Sequence, residues 1–254
     1  MFVDIHCHLD DKAFAKSLPE VIERAAQAGL KVIISNGTGP ESNQAVKVIC
    51  ERYSLVRPAY GLYPTEPADS SADSVVFSWI KTEAVTGKLP PVAIGEIGLD
   101  GVEPVTNAQR TRFRTACALA QELRLPIIVH SRKAEIDVFE ELEAMRHLTP
   151  VIMHCFGGSK KLIEEGIRRK YYFSIPAIVK RSEHFQLVAK LVPLSQLFTE
   201  TDAPYLAADK DVFPNEPSAV VGTLDIIARI KGLTPKECRD VLFMNFQRVF
   251  AREV

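Results

Sequence analysis

The sequence predicts a single α/β barrel of eight parallel strands, with one additional helix at the C-terminal end. Three observations carry this. Apolar strand-like runs alternate with amphipathic helical segments along all 254 residues, without a long linker, low-complexity stretch or clear repeat. The alternation supplies eight strands, and the length suits one such barrel. Five of the runs also carry metal-binding side chains at or near their ends, which a parallel barrel would gather at one mouth.

The strands are expected at Val3–His8, Val32–Asn36, Leu55–Gly61, Val92–Glu96, Ile127–His130, Val151–His154, Tyr171–Ile175 and Leu197–Asp202. Helices fit Pro19–Ala28, Glu41–Arg52, Ser74–Ala84, Asn107–Leu123, Ala134–Arg146, Lys160–Arg169, Glu183–Leu191 and Glu216–Ile230, with the extra one at Pro235–Ala251. One domain over residues 1–254 is the simplest organisation. A doubly wound open sheet is the competing architecture, but it places the first and last strands less naturally around one centre.

In FVDIHCHLD, a period-two strand puts His6 and His8 on one face. PPVAIGE ends on Glu96, PIIVH on His130, PVIMH on His154 and QLFTETD on Asp202. A lone histidine after an apolar strand is usually a satisfied core or surface residue. Six such groups at equivalent strand ends are different, because collecting buried ionisable groups is costly unless a metal or hydrogen bonds compensate. Imidazole and carboxylate together suit Zn²⁺, Mn²⁺ or Mg²⁺ with open positions, and six donors exceed what one hydrolytic ion takes from protein. Two divalent ions are expected.

Composition limits the alternatives. Hydrophobic residues make up 46% of the chain, enough for a large core. Five cysteines without a CxxC pair indicate neither a disulfide framework nor a structural zinc module. The absence of a leader-like segment or of an apolar run near ~18 residues points to the cytoplasm, or the nucleus in a eukaryote, and to no membrane partner. A formal net charge of −1 lacks the basic character of many nucleic-acid-binding domains, although a local patch suffices for an enzyme. Candidate patches are Arg132 with Lys133, Lys160 with Lys161, Arg168 to Lys170, and Lys180 with Arg181. Arg132 stands out, two residues beyond His130. No GxGxxG or GxxxxGK[ST] pattern occurs, so a nucleotide cofactor is not expected. Gly95 and Gly98 are expected to permit tight backbone around Glu96, Asn215 to cap a helix starting at Glu216, and His147 and His184 to lie on the surface.

DIHCHLD, GEIGLD, LPIIVHSR, MHCFGGS, TETDAPYL, NEP and NFQRVF, in this order and essentially end to end, resemble the TatD family of metal-dependent nucleases, within the amidohydrolase-like metallo-barrels. The resemblance implies a (β/α)8 TIM barrel and divalent-metal phosphodiester hydrolysis. It places metal ligands on His6, His8, Glu96, His130, His154 and Asp202, with Glu96 bridging. Two departures touch the substrate side. Where relatives carry a histidine-rich GxHPH segment, this chain reads GLYPT, with Tyr63 and Thr65 replacing both imidazoles; after GEIGLD it reads Gly101-Val-Glu-Pro in place of a tyrosine-rich stretch. Tyr63 can still donate a hydrogen bond to substrate.

Phosphodiester hydrolysis needs charge neutralised on both sides of phosphorus and a deprotonated water. Asp202 is expected both to bind metal and to accept that proton, Glu200 to orient a ligand or water from deeper in the barrel, and Arg132 to clamp a phosphate oxygen. The expected activity is that of a deoxyribonuclease, acting as an exonuclease on single-stranded DNA or frayed ends. An esterase or amidohydrolase, such as an aminoacyl-tRNA deacylase, is the alternative, and a non-enzymatic scaffold is a third class.

Overall fold

A computed structural model describes residues 1–67 and 70–250. Eight parallel strands pair in sequence order, β1 (Phe2–Cys7), β2 (Leu30–Asn36), β3 (Val56–Tyr60), β4 (Ala93–Gly98), β5 (Ile127–His130), β6 (Val151–Met153), β7 (Tyr172–Ile175) and β8 (Leu197–Thr199). Between and after them run α1 (Leu18–Gln27), α2 (Pro40–Arg52), α3 (Ser70–Thr86), α4 (Asn107–Leu123), α5 (Glu135–Ala144), α6 (Lys160–Arg168), α7 (Glu183–Leu191), α8 (Val220–Lys231) and the additional α9 (Pro235–Phe250). This is the (β/α)8 barrel with an extra C-terminal helix.

The local chemistry explains the helix limits. Thr106, Ser159 and Ser182 each accept a hydrogen bond from the first turn of α4, α6 and α7 through their side chains. Gly232, left-handed with φ of 66°, closes α8. One apolar layer lies between strands and helices, around Phe14, Phe113 and Phe156. A second joins Ile5, Ile34, Ile128, Ile152 and Phe198 to Val249 and Phe250 of α9. Asn245 of α9 donates to the Leu194 and Leu197 carbonyls, fixing that helix against β8.

The barrel is tied at the β8–β1 seam by side chains and by backbone beyond the strands. Thr199 Oγ1 donates to the Val3 carbonyl at 2.7 Å. The Asp202 amide donates to the His6 carbonyl at 2.9 Å, and the His8 amide to the Ala203 carbonyl at 2.8 Å. Beneath them the buried Asp4 carboxylate accepts from the Thr201 amide and hydroxyl and from the His6 amide. Burial pushes the Asp4 carboxyl up to about 8.

Several limits differ from the sequence expectation. β8 stops at Thr199, so Glu200 and Asp202 lie on the following loop, where Asp202 is left-handed with φ of 54°. A short aspartate tolerates that conformation. The helix expected from Glu216 begins at Val220, after a 3-10 turn at Pro217–Ala219 whose N-cap is Glu216 without a side-chain cap bond. Asn215 instead spans the preceding loop, donating to the Thr201 and Tyr205 carbonyls. The expected helix end at Ala251, and residues 251–254 of the expected domain with 68 and 69, fall outside the described residues. No helix among the described residues is long and apolar enough to cross a membrane.

His147 and His184 are half-buried rather than surface residues. His184 Nε2 pairs with the Phe156 carbonyl at 2.9 Å. His147 Nε2 meets Thr149 Oγ1, its Nδ1 is buried without a partner, and burial pushes the ring down to about 4. The unfolded chain takes up a proton near pH 6.5, where the folded state resists it. The His147 contribution to stability is therefore intact above about pH 6.5 and lost as pH falls toward about 4. Urea midpoints across this range should fall more steeply for the native protein than for His147→Gln; parallel curves would contradict the assignment.

Candidate metal centre

All six sequence-identified donors meet at the C-terminal mouth. His6 belongs to β1 and His8 follows it, Glu96 sits inside β4, His130 ends β5, His154 follows β6 and Asp202 comes from the loop after β8. Two glycines make the convergence sterically possible. A Cβ on Gly98, at φ of 145°, would fall 2.0 Å from the His130 carbonyl oxygen, and one on Gly61 would fall 2.3 Å from the Glu96 carbonyl oxygen.

The donor atoms form two sets sharing Glu96, and His154 Nε2 also lies 3.9 Å from Asp202 Oδ1. The Nε2 atoms of His6 and His8 are 3.3 Å apart, and each lies 3.4 to 3.5 Å from both Glu96 Oε2 and Asp202 Oδ1. A tetrahedral shell with metal–ligand distances of about 2.0–2.2 Å has edges of about 3.3–3.6 Å, so these atoms are spaced to hold an ion. The second set faces the other carboxylate oxygen: Glu96 Oε1 is 2.8 Å from His130 Nδ1 and 3.9 Å from His154 Nε2. Here imidazole and carboxylate touch, and an ion on this side must displace the proton between them.

The electrostatics are those of a cation trap. Burial pushes the His6 imidazole down, but the Asp202 and Glu96 carboxylates outweigh it and hold the ring up at about 10. Burial also opposes His130, which Asp100 and Glu96 raise to about 9. Against burial, His130 and His6 keep Glu96 well below the usual carboxylate range, and His154, His6 and His8 do the same for Asp202. Protons fill this field when no other cation does, and a divalent ion would release them.

Surrounding groups fix the rings. Glu200, fully buried, accepts from His154 Nδ1 at 2.7 Å, from Ser174 Oγ at 2.6 Å and from the Cys155 amide at 2.9 Å. His8 Nδ1 pairs with the Asn36 carbonyl at 3.0 Å. Asp100, which sequence reasoning gave no role, pairs with His130 Nε2 at 2.8 Å. Its place four residues after Glu96 in GEIGLD was the available signal. Tyr63 reaches the same spot: its hydroxyl lies 3.2 Å from His130 Nε2 and 3.3 Å from Asp100 Oδ2, while Thr65 is exposed.

Arg112 was also missed. Its Nη1 donates to the Tyr63, Pro64 and Glu66 carbonyls, and its Nε and Nη2 pair with both oxygens of Asp73. It thus holds the segment that delivers Tyr63. An arginine three residues after Gln109 and four before Ala116, on the buried face of α4, could have betrayed such a partner.

His8, Glu96, His130, His154 and Asp202 open onto a cavity of about 800 Å³ also lined by Tyr63, Arg132, Lys133 and Tyr205, with His6 fully buried behind them. Arg132 is exposed and, among the described residues, its guanidinium has no ion-pair partner. The other expected basic patches include cations already engaged: Lys160 with Glu164, Arg168 and Arg169 with Glu165, and Lys180 with Asp209.

A parallel barrel that gathers imidazoles and carboxylates at its strand C-termini defines a metal-dependent hydrolase. The chain belongs to the TatD family: the family profile described as TatD related DNase matches residues 3–251. It is 32% identical over 256 residues to the uncharacterized metal-dependent hydrolase MJ1582 of Methanocaldococcus jannaschii, covering 100% of this chain and 98% of that protein. It is 29% identical over 262 residues to the 3′-5′ ssDNA/RNA exonuclease TatD of Citrobacter rodentium, covering 97% of each. The crystal structure of YJJV, a TatD homologue from Escherichia coli, superposes with a TM-score of 0.90 at 27% identity, covering 99% of this chain and 98% of that one.

Glu200→Gln keeps the side-chain shape but weakens the acceptor for His154 Nδ1, and partners of this kind govern metal affinity by about 10–100-fold. Titration calorimetry with Zn²⁺ or Mn²⁺ should show weakened binding in that range, with unchanged circular dichroism. Native affinity would exclude Glu200 as the group that orients His154 toward an ion.

Proposed function

We propose that the protein is a metal-dependent deoxyribonuclease, working as an exonuclease on single strands or frayed DNA ends in the cytoplasm. The observation that carries the two-ion form of this reading is Glu96, whose two oxygens face separate donor sets. His6, His8, Glu96 and Asp202 would hold one divalent ion, and Glu96, His130 and His154 the other; Mg²⁺, Mn²⁺ and Zn²⁺ are the candidates. When bound, such ions neutralise the phosphate and lower the pKa of the attacking water toward about 7.

The chain's own residues supply the remaining steps. Asp202, held ionised and still reachable from the cavity, accepts the proton of the attacking water. Tyr63 presents its hydroxyl beside His130 and can turn it toward a phosphate oxygen. Arg132 offers a planar fork to a nonbridging oxygen. A strand end can enter the mouth of the barrel, whereas an intact duplex presents its phosphates on a wide rod. The five cysteines are free, which suits a reducing compartment.

The decisive comparison sets short single-stranded DNA, duplex DNA and an aminoacyl ester before the same metal-loaded protein. DNA cleavage from single-stranded ends should dominate, and ester cleavage alone would transfer the site to carbonyl chemistry. Asp202→Asn should reduce single-turnover DNA cleavage by at least ~10² while the fold persists. A near-native rate would remove Asp202 from both of its roles.

Arg132→Ala should lower kcat/KM on single-stranded DNA by a charge-assisted contact of about 1.5–3 kcal/mol. Arg132→Lys should restore charge without the fork and fall between the two. Metal content measured alongside should not change; its loss would make Arg132 a support of the metal site instead.

A further inference from the structure

Tyr205 is an exposed aromatic ring anchored through both its backbone and its hydroxyl. It follows Asp202 by three residues, lines the same cavity, and leaves 49% of its surface accessible. Its amide donates to the Asp202 carbonyl at 2.8 Å, and its own carbonyl accepts from Asn215 Nδ2 at 2.8 Å. Its hydroxyl donates to Asp11 Oδ2 at 2.9 Å. Asn215 also bonds the Thr201 carbonyl through Nδ2 and the Pro204 carbonyl through its amide, so the whole turn is tied down. The chain therefore fixes both backbone and ring tip while leaving ring surface open toward the cavity.

Support of the neighbouring turn accounts for only part of this. Asp11 already caps the 3-10 turn Lys12–Phe14 by accepting from the Ala13 amide, and Tyr205 adds one bond at its hydroxyl. The ring is not consumed by that role. We propose that Tyr205 is the stacking platform for the nucleobase next to the scissile phosphate, a subsite that rests on the nuclease reading above.

The charges around the cavity orient such a nucleotide. Asp10 and Asp11 lie on the side of Tyr205 and repel a phosphate, whereas Arg132 and Lys133 line the same cavity with no ion-pair partner among the described residues. A base is uncharged and tolerates the acidic side; its phosphate is drawn to Arg132, Lys133 and the ions that the metal site would hold. The Tyr205 hydroxyl proton is committed to Asp11, so it offers no donor to a base edge. Every base presents a π-face, and the subsite accepts any of them without sequence preference.

The test compares Tyr205→Leu and Tyr205→Phe with the native protein on two short single strands, one fully base-bearing and one abasic at the terminal nucleotide. Metal content and circular dichroism are recorded for each. Tyr205→Leu should raise KM on the base-bearing strand by about tenfold with kcat and metal content unchanged, as for loss of one stacked base. On the abasic strand it should match the native protein, and Tyr205→Phe should keep the native discrimination between the strands. An unchanged KM for Tyr205→Leu on the base-bearing strand, or an equal loss on both strands, would overturn the platform while leaving the nuclease reading intact. Failure of the metal-loaded native protein to cleave or bind either strand would overturn the nuclease reading itself and the platform with it.

Discussion

Closure of the barrel and assembly of the candidate metal centre are the same event. The Asp202 amide to His6 carbonyl bond and the His8 amide to Ala203 carbonyl bond join the first strand to the loop after the last one, across nearly two hundred residues of chain. Three of the four residues they join, His6, His8 and Asp202, also bring side chains to the candidate site. No local segment can bring His6 and His8 to Asp202; only a closed ring of strands can. The Asp4 carboxylate, bonded to Thr201 just below, belongs to the same seam. A change that opened it would separate the donors before it exposed much of the apolar layer outside the strands.

The second constraint is electrostatic. Two carboxylates, the buried Glu96 and the half-buried Asp202, face four imidazoles, and the balance of burial and charge favours cations in the cluster. Outer carboxylates decide which ring nitrogen faces inward. Glu200 takes His154 Nδ1 and Asp100 takes His130 Nε2, so these two rings present opposite nitrogens to Glu96. The two rings also stand on different supports: His130 is the last residue of β5, while His154 lies just past β6. Orientation by outer partners is what lets rings on different supports converge on one carboxylate.

The barrel was legible because strand and helix patterns alternate so regularly, and the donors because they recur at the ends of apolar runs. What escaped the sequence was whatever depends on contacts between distant segments. Glu200 was expected deep beneath the site by period-two alternation from Asp202; it is buried there even though β8 stops at Thr199. Asn215 looked like a helix cap because asparagine precedes Glu-Pro, yet its amide is used across the loop, which no local rule reveals. Arg112 lies within α4 and Asp100 just after β4, but Tyr63, whose carbonyl Arg112 binds, and His130, which Asp100 orients, are 30 or more residues away. Sequence periodicity reports which face is buried; it does not report which polar atom meets which.

The loops around the mouth differ in how they present their side chains, and that difference bears on recognition. Tyr63 is delivered by a segment whose carbonyls converge on the buried Arg112, and Tyr205 by a turn tied to Asn215 and Asp11. Both aromatic residues are fixed before any substrate arrives, so little conformational entropy remains to be lost at those points. Arg132 and Lys133 are different: the backbone is held, with the Gly101 amide donating to the Arg132 carbonyl at 2.8 Å, but the side chains extend into the cavity without ion-pair partners among the described residues. Long cations on a fixed backbone can follow a polyanion whose phosphates shift as each nucleotide is removed, whereas rigid rings suit groups that must dock in one place. Under the exonuclease reading proposed above, combining the two presentations around one metal centre would suit a strand that must be gripped, cut and advanced.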